Sequence, residues 1–241
     1  MIRSILVTLC FIAIFTSSGW AQTGSWFIGT VQLPGGDRRW GGFVEAQVRM
    51  NNLFHQYNYH EYKGGISYDL GQNFTTLLGA GRYVTYDYRE RGAGPLTQEF
   101  RMWQQLIINQ SLERLKFEHR YRVEQRWQNH RDRPDEYRNR IRYRFNMAVP
   151  LNNPRIGPQT VFASTYNEIF LNNRAPHFER NRFYAGLGYQ TNSHWVFQVG
   201  WLNQYDFSPG LPRSKNNLVC TVVYRINRAN NDRQRLPTPV D

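Results

Sequence analysis

Residues 117–127 read FEHRYRVEQRW, and residues 137–145 read YRNRIRYRF. Seven arginines fall in these two stretches, mostly at every second position. From Leu115 to Trp127 the odd positions are Leu, Phe, His, Tyr, Val, Gln and Trp, and the even ones are Lys, Glu, Arg, Arg, Glu and Arg. From Tyr137 to Val149 the odd positions are Tyr, Asn, Ile, Tyr, Phe, Met and Val, and the even ones begin Arg138, Arg140, Arg142, Arg144. A helix would scatter these charges around its circumference. A strand puts them all on one face. Both stretches therefore read as long strands with one apolar and one charged face.

The alternation recurs along the chain. FVEAQVRM sets Val44, Ala46, Val48 and Met50 against Glu45, Gln47 and Arg49, and KGGISYDL sets Ile66, Tyr68 and Leu70 against Ser67 and Asp69. Strands are expected near 40–50, 57–70, 74–86, 98–110, 114–127, 137–149, 159–171, 181–190, 194–205 and 216–226. A further short one is possible at 25–32, as an edge or plug segment or half of another pair. Tight turns at 71–73 (GQN), 111–113 (SLE) and 191–193 (TNS) carry turn-type residues. They alternate with longer polar loops at 87–97, 128–136, 172–180 and 206–215. That rhythm predicts an all-β, up-and-down antiparallel barrel of about 10 strands, 12 being possible, with two unlike rims.

The chain has 241 residues, a net charge of +12, and 27 Arg against 3 Lys. Arginine is the residue for fixed, bidentate pairing with carboxylates and phosphates. Residues 1–21 join a basic Arg3 to an apolar run from Ile5 to Phe15, then to small residues ending in Ala21. This reads as a secretory signal peptide cut after Ala21. Residues 22–226 form the barrel domain and 227–241 a polar tail. One cysteine, Cys220, follows the signal segment, so no internal disulfide and no Cys-based metal site is expected. No segment is apolar and long enough for a transmembrane helix.

Export, long continuous strands and aromatics near strand ends (Trp40, Tyr57, Tyr86, Trp127, Tyr137, Trp195, Tyr205) favour a transmembrane barrel. In such a barrel the apolar face meets lipid and the charged face lines the lumen. The alternative is a secreted soluble β-protein with its arginines in water. In the membrane reading, Glu99, Arg101, Glu118, Arg120, Arg122, Glu124, Arg126, Arg138, Arg140, Arg142, Arg144 and Glu168 form a lumen-facing lattice, because buried like charges need interleaved carboxylates. With Leu112 and Glu113 at a hairpin tip, Glu99 would face Arg126, and Arg101 would face Glu124. Glu118 and Glu124 on one side and Glu168 on the other would serve the arginines of 138–144.

The ordered set EFRMWQQL, RYRVEQRW, RNRIRYRF, YNEIF and RFYAGLGYQ resembles the exported barrels of domain-of-unknown-function family 2490, from about Trp26 to Tyr224. The resemblance implies an outer-membrane β-barrel of a Gram-negative bacterium and implies no substrate. One departure is the C-terminus. The last strand closes on Tyr224-Arg225-Ile226 and a polar tail follows, where barrels of this kind usually end on an aromatic.

Four functions follow from different chemistry. A scaffold barrel with a side-chain-filled lumen, docking through its loops, is the leading one, and it is not an enzyme. A narrow anion-selective pore would use the arginine ladder. An outer-membrane lipid hydrolase would need a nucleophile beside a base. His119 and Asn139 fall on the outer face, and Ser111 is the nearest serine in sequence. Nucleic-acid binding, which the net charge of +12 would suggest, is disfavoured by export and by luminal placement of the arginines, and no nucleic-acid partner is expected. The expected partners are the outer-membrane bilayer and, through Arg89, Arg91, Arg131 and Arg133, lipid headgroup phosphates. No cofactor is expected: no Gly-rich phosphate loop opens a helix and no paired-His metal spacing occurs.

Overall fold

The computed structural model describes residues 23–226. The expected signal peptide and polar tail lie outside them. Eleven strands close into one barrel in the order β1-β11-β10-β9-β8-β7-β6-β5-β4-β3-β2. They are β1 (Gly24–Leu33), β2 (Trp40–Asn52), β3 (His55–Asp69), β4 (Phe74–Tyr86), β5 (Pro95–Leu112), β6 (Leu115–His130), β7 (Glu136–Pro150), β8 (Thr160–Asn172), β9 (Phe178–Gln190), β10 (Trp195–Asp206) and β11 (Arg213–Arg225). Among the described residues no helix is long and apolar enough to cross a membrane.

The count is eleven rather than ten, because 24–33 is a full wall strand. Each hairpin reverses direction, so the first and last strands of an odd run point the same way. Closure must then be parallel, and β1 pairs in parallel with β11, from Gly24 opposite Asn217 to Gln32 opposite Arg225. All other neighbours pair antiparallel; β1 and β2, for example, run from Ser25 opposite Met50 to Leu33 opposite Gly42. The N-terminal end of β1 and the C-terminal end of β11 thus lie on opposite rims.

The rim where β11 ends carries the connections 34–39, 70–73, 113–114, 151–159 and 191–194, and the other rim carries 53–54, 87–94, 131–135, 173–177 and 207–212. The rims are less unlike than the turn-and-loop rhythm suggests. The strands run further than expected, so the loops shrink, and the long 151–159 connection sits among the short turns. That loop folds back onto the barrel. Its Ile156 is buried with Ala148, Phe162, Val196 and Val223, and Arg114 donates to the Pro150 and Asn153 carbonyl oxygens at 2.9 and 3.1 Å.

Polarity is inverted relative to a soluble protein. Val44, Ile66, Leu78, Ile141 and Leu187 are more than half exposed around the outside, together with Phe100, Val123, Phe183, Phe197 and Val199. Glu45, Gln47, Ser67, Asp69 and the even-numbered residues 118–128 of β6 are buried inside. Outward rings cluster at both rims: Trp40 with Tyr68 and Trp195 with Tyr224 at one, Trp127 with Tyr137 and Tyr57 with Tyr86 at the other. Outward amides bond to one another, as Gln104 does with Gln125 and Asn167 with Asn181. A 13-residue strand spans about 43 Å at roughly 3.3 Å per residue, and at a typical tilt near 40° it stands about 33 Å tall, more than the ~25 Å apolar band of an outer-membrane barrel.

Candidate functional site

An eight-stranded barrel is just filled by ordinary side chains, and diameter grows with strand number. Eleven strands need longer ones, and the inward positions hold arginines, tryptophans and tyrosines. Where a large ring lies over the neighbouring strand, the residue paired with it is glycine: Gly79 stands opposite Trp103 and Gly188 opposite Phe162. A Cβ at Gly79 would overlap the Trp103 ring, and one at Gly188 the Phe162 ring. Trp103 and Phe162 are fully buried.

The charged lattice centres on three carboxylates. Glu124, with no exposed surface, accepts from Arg140 Nε and Arg142 Nη1, each at 2.8 Å, and lies 3.5 Å from Arg122. Glu168 pairs with Arg120 at 2.5 Å and with Arg142 at 2.9 Å. Glu118 pairs with Arg144 at 3.0 Å. Arg122 also donates Nε to Gln105 at 2.8 Å. Of the residues singled out from sequence, Arg138 differs: it sits at the rim, partly exposed, and pairs with Glu136 on its own strand at 2.6 Å.

The β5–β6 register is not the expected one. The hairpin turns on Glu113 and Arg114, with Leu112 opposite Leu115, so Arg101 faces Arg126 and Trp103 faces Glu124. The tip lies one residue later because Glu113 takes a left-handed φ of 51°, which permits a two-residue reversal. The like-charged pair is relieved by Glu99, which bridges to Arg101 on its own strand and diagonally to Arg126, each at 2.5 Å. Diagonal neighbours are within reach of long side chains, so pairing directly opposite was too strict a requirement.

Three features escaped the sequence reading. Glu179, assigned to a loop, binds Arg140 at 2.6 Å and Arg126 at 3.2 Å. Lys63 lies between Glu45 at 2.7 Å and Glu61 at 2.5 Å, fully enclosed. Phe170 has four guanidinium carbons within 5.6 Å of its ring centroid, from Arg140, Arg142, Arg180 and Arg182. The signal for Phe170 was available: it shares parity with Glu168 on β8, so both must point inward.

Above the lattice the lumen opens into a vestibule of about 330 Å³ at the rim opposite the β11 terminus. Its wall draws on ten of the eleven strands and includes eight arginines and one lysine, against one carboxylate, Glu99. Arg49 is held between Trp26 at 3.8 Å and Tyr59 at 4.2 Å. Below it the interior holds the buried rings, the ion-paired lattice and Ile156 of the 151–159 loop. Among the loop arginines, Arg131 is taken up by Asp132 at 3.0 Å, Arg91 lies over Tyr57, and Arg133 lines the vestibule.

On the outer wall His119 Nδ1 is 2.9 Å from the Tyr143 hydroxyl, while the Ser111 hydroxyl accepts from Lys116 at 2.9 Å. Ser111 stands opposite Lys116 and His119 opposite Ile108. Three residues along the ladder, roughly 10 Å, separate the two, too far for a nucleophile and its base.

The fold and the interior together define a closed antiparallel β-barrel with an apolar outside and an ion-paired, aromatic-filled inside. The chain belongs to the DUF2490 family, described as a protein of unknown function, whose profile matches residues 23–215. No curated protein matches it. Among solved structures, the siderophore receptor PirA from Pseudomonas aeruginosa is similar at 12% identity, over 74% of this chain and 34% of that one, with a TM-score of 0.27. The chain thus spans about a third of that receptor's length.

Proposed function

We propose that this protein is an outer-membrane β-barrel whose lumen is closed to bulk solute, a scaffold that presents its vestibule to one side of the membrane. The inversion of polarity carries this reading. A continuous apolar belt of this kind on a soluble monomer would far exceed the few hundred Å² such proteins expose. With the β11 terminus in the periplasm, the vestibule faces outward. The closed lumen argues against the runner-up, a narrow anion-selective pore, although the arginine excess in the vestibule keeps that reading the nearest competitor.

The test is to isolate the outer-membrane fraction and compare gel mobility with and without boiling. A membrane-bound species whose mobility shifts on boiling is expected, as for a closed barrel resistant to SDS. Recovery as a soluble periplasmic or secreted protein with no shift would overturn the reading and return the apolar face to a partner or a core.

A further inference from the structure

We propose that the vestibule is a binding site for a small, soluble, multiply charged oxyanion such as a phosphate ester or polycarboxylate. The proposal takes the closed barrel of the preceding reading as its frame but does not depend on whether that barrel conducts.

Charge balance is the first argument. Nine cations line the cavity with Glu99. Glu61, Glu124, Glu168, Glu179 and Asp206 pair with several of those cations from behind, whereas Glu99 alone among the described carboxylates lines the cavity itself. Glu124 and Glu168 are also shared with Arg122 and Arg120 deeper in the barrel, so each serves more than one guanidinium. A confined lining of nine cations and one carboxylate in a low-dielectric wall concentrates anions and focuses their approach.

Rigidity is the second. Arg49 is clamped between two rings. Arg182 is buried, lies over Trp26 and Phe170, and donates Nε to Gln204 at 3.0 Å. Lys215 donates to the neutral Asn51 side chain at 2.5 Å. Fixed guanidinium forks are suited to bidentate oxyanion recognition, and a lysine adds a point charge. The wall pre-pays much of the ordering cost that flexible surface lysines would incur on binding.

Access is the third. The cavity is walled by inward side chains on β1 to β7 and β9 to β11, so lipid has no lateral entry. The ligand comes along the barrel axis from water and stops at the lattice. At about 330 Å³ the space lies at the small end of ligand pockets, which suits a metabolite-sized anion rather than a polymer. The phosphate of a lipid headgroup offers the same chemistry but would have to bend over the rim to reach it.

The experiment is isothermal titration of the full-length barrel in detergent with inorganic pyrophosphate and with citrate, beside vesicles containing anionic lipid. The same preparation is first shown to shift on boiling, so a failed fold is told apart from a failed site. Saturable binding of pyrophosphate or citrate is expected, weakened roughly tenfold by Lys215→Gln and by Arg182→Gln, and unchanged by Arg89→Gln outside the cavity. Lys215→Gln guards against misfolding of the more buried arginine variant. No saturable binding by heat-shifting protein overturns the proposal. So does binding that both vestibule substitutions leave unchanged, or binding to the vesicles without binding to either soluble anion.

Discussion

Glu124 concentrates the physics of the interior in one side chain. It is wholly buried, and three guanidinium groups, from Arg122, Arg140 and Arg142, converge on it within 3.5 Å. Replacing a buried ion pair with apolar groups can be neutral, but removing one partner leaves the others uncompensated, at a cost of about 3–5 kcal/mol. Glu124→Gln keeps the shape and removes the charge. The temperature at which the boiling-induced mobility shift occurs should fall clearly for this variant, while Glu90→Gln, on the rim loop and largely exposed, should leave it in place. Equal transition temperatures for the two would show that water, not Glu124, neutralises the arginines. At this scale the sequence was informative about which faces carry charge, since period-two alternation places Glu118, Glu124 and Glu168 with the arginines. For the rings of β8, hydropathy and parity pull in opposite directions. Phe162, Tyr166 and Phe170 look like lipid-facing residues by hydropathy, yet they point inward because they share parity with Glu168, and Arg144 lies over Tyr166 as four arginines lie around Phe170.

Among the elements, β1 decides the closure. Nine of its residues pair with β11, and parallel pairing is slightly less stable per residue than antiparallel. The sequence marked 25–32 as a possible strand but could not assign it, because strand parity is a property of the whole closed ladder. The positions of β2 to β11 were legible from an alternation that is clear in β2, β6 and β7 and weaker in β5, β9 and β11, whereas their ends were not, since rim residues are polar on both faces. The seam offers a direct check. Phe27 stands opposite Cys220, and both belong to the outward parity of their strands. Neighbouring strands lie about 4.8 Å apart, within the Cα separation a disulfide accepts. Phe27→Cys should therefore form an intramolecular disulfide with Cys220 under mild oxidation, seen as a cross-linked peptide by mass spectrometry. Val31→Cys, four residues along the seam and opposite Tyr224, should not. Cross-linking at position 31 and none at 27 would mean that β1 closes the barrel in another register or on another strand.

At the scale of the molecule, the question is whether an eleven-stranded bore conducts. Barrels of 16–18 strands leave aqueous channels, and those of eight are filled. This one lies between, and its contents decide. Along the axis from the vestibule, a solute meets the Glu124 and Glu168 lattice with Phe170. Trp103 stands opposite Glu124, under the Arg122 guanidinium and beside Phe43 and Leu77, and Phe162, Val196 and Val223 pack with Ile156 of the 151–159 loop. Charged and apolar groups thus both occupy the bore, and the apolar ones would favour dewetting even if the lattice admitted an anion. Reconstituted protein should show no steady open-channel conductance in a planar bilayer at ordinary salt. Trimming these apolar groups with Trp103→Ala and Phe162→Ala should produce small, anion-favouring channels, because the remaining arginines still set the sign of the field. Replacing Arg140 and Arg142 by Gln in that background should reduce the anion preference. A steady anion conductance in the unmodified protein would instead show that these side chains swing aside, and the runner-up pore would replace the closed scaffold as the function of the barrel.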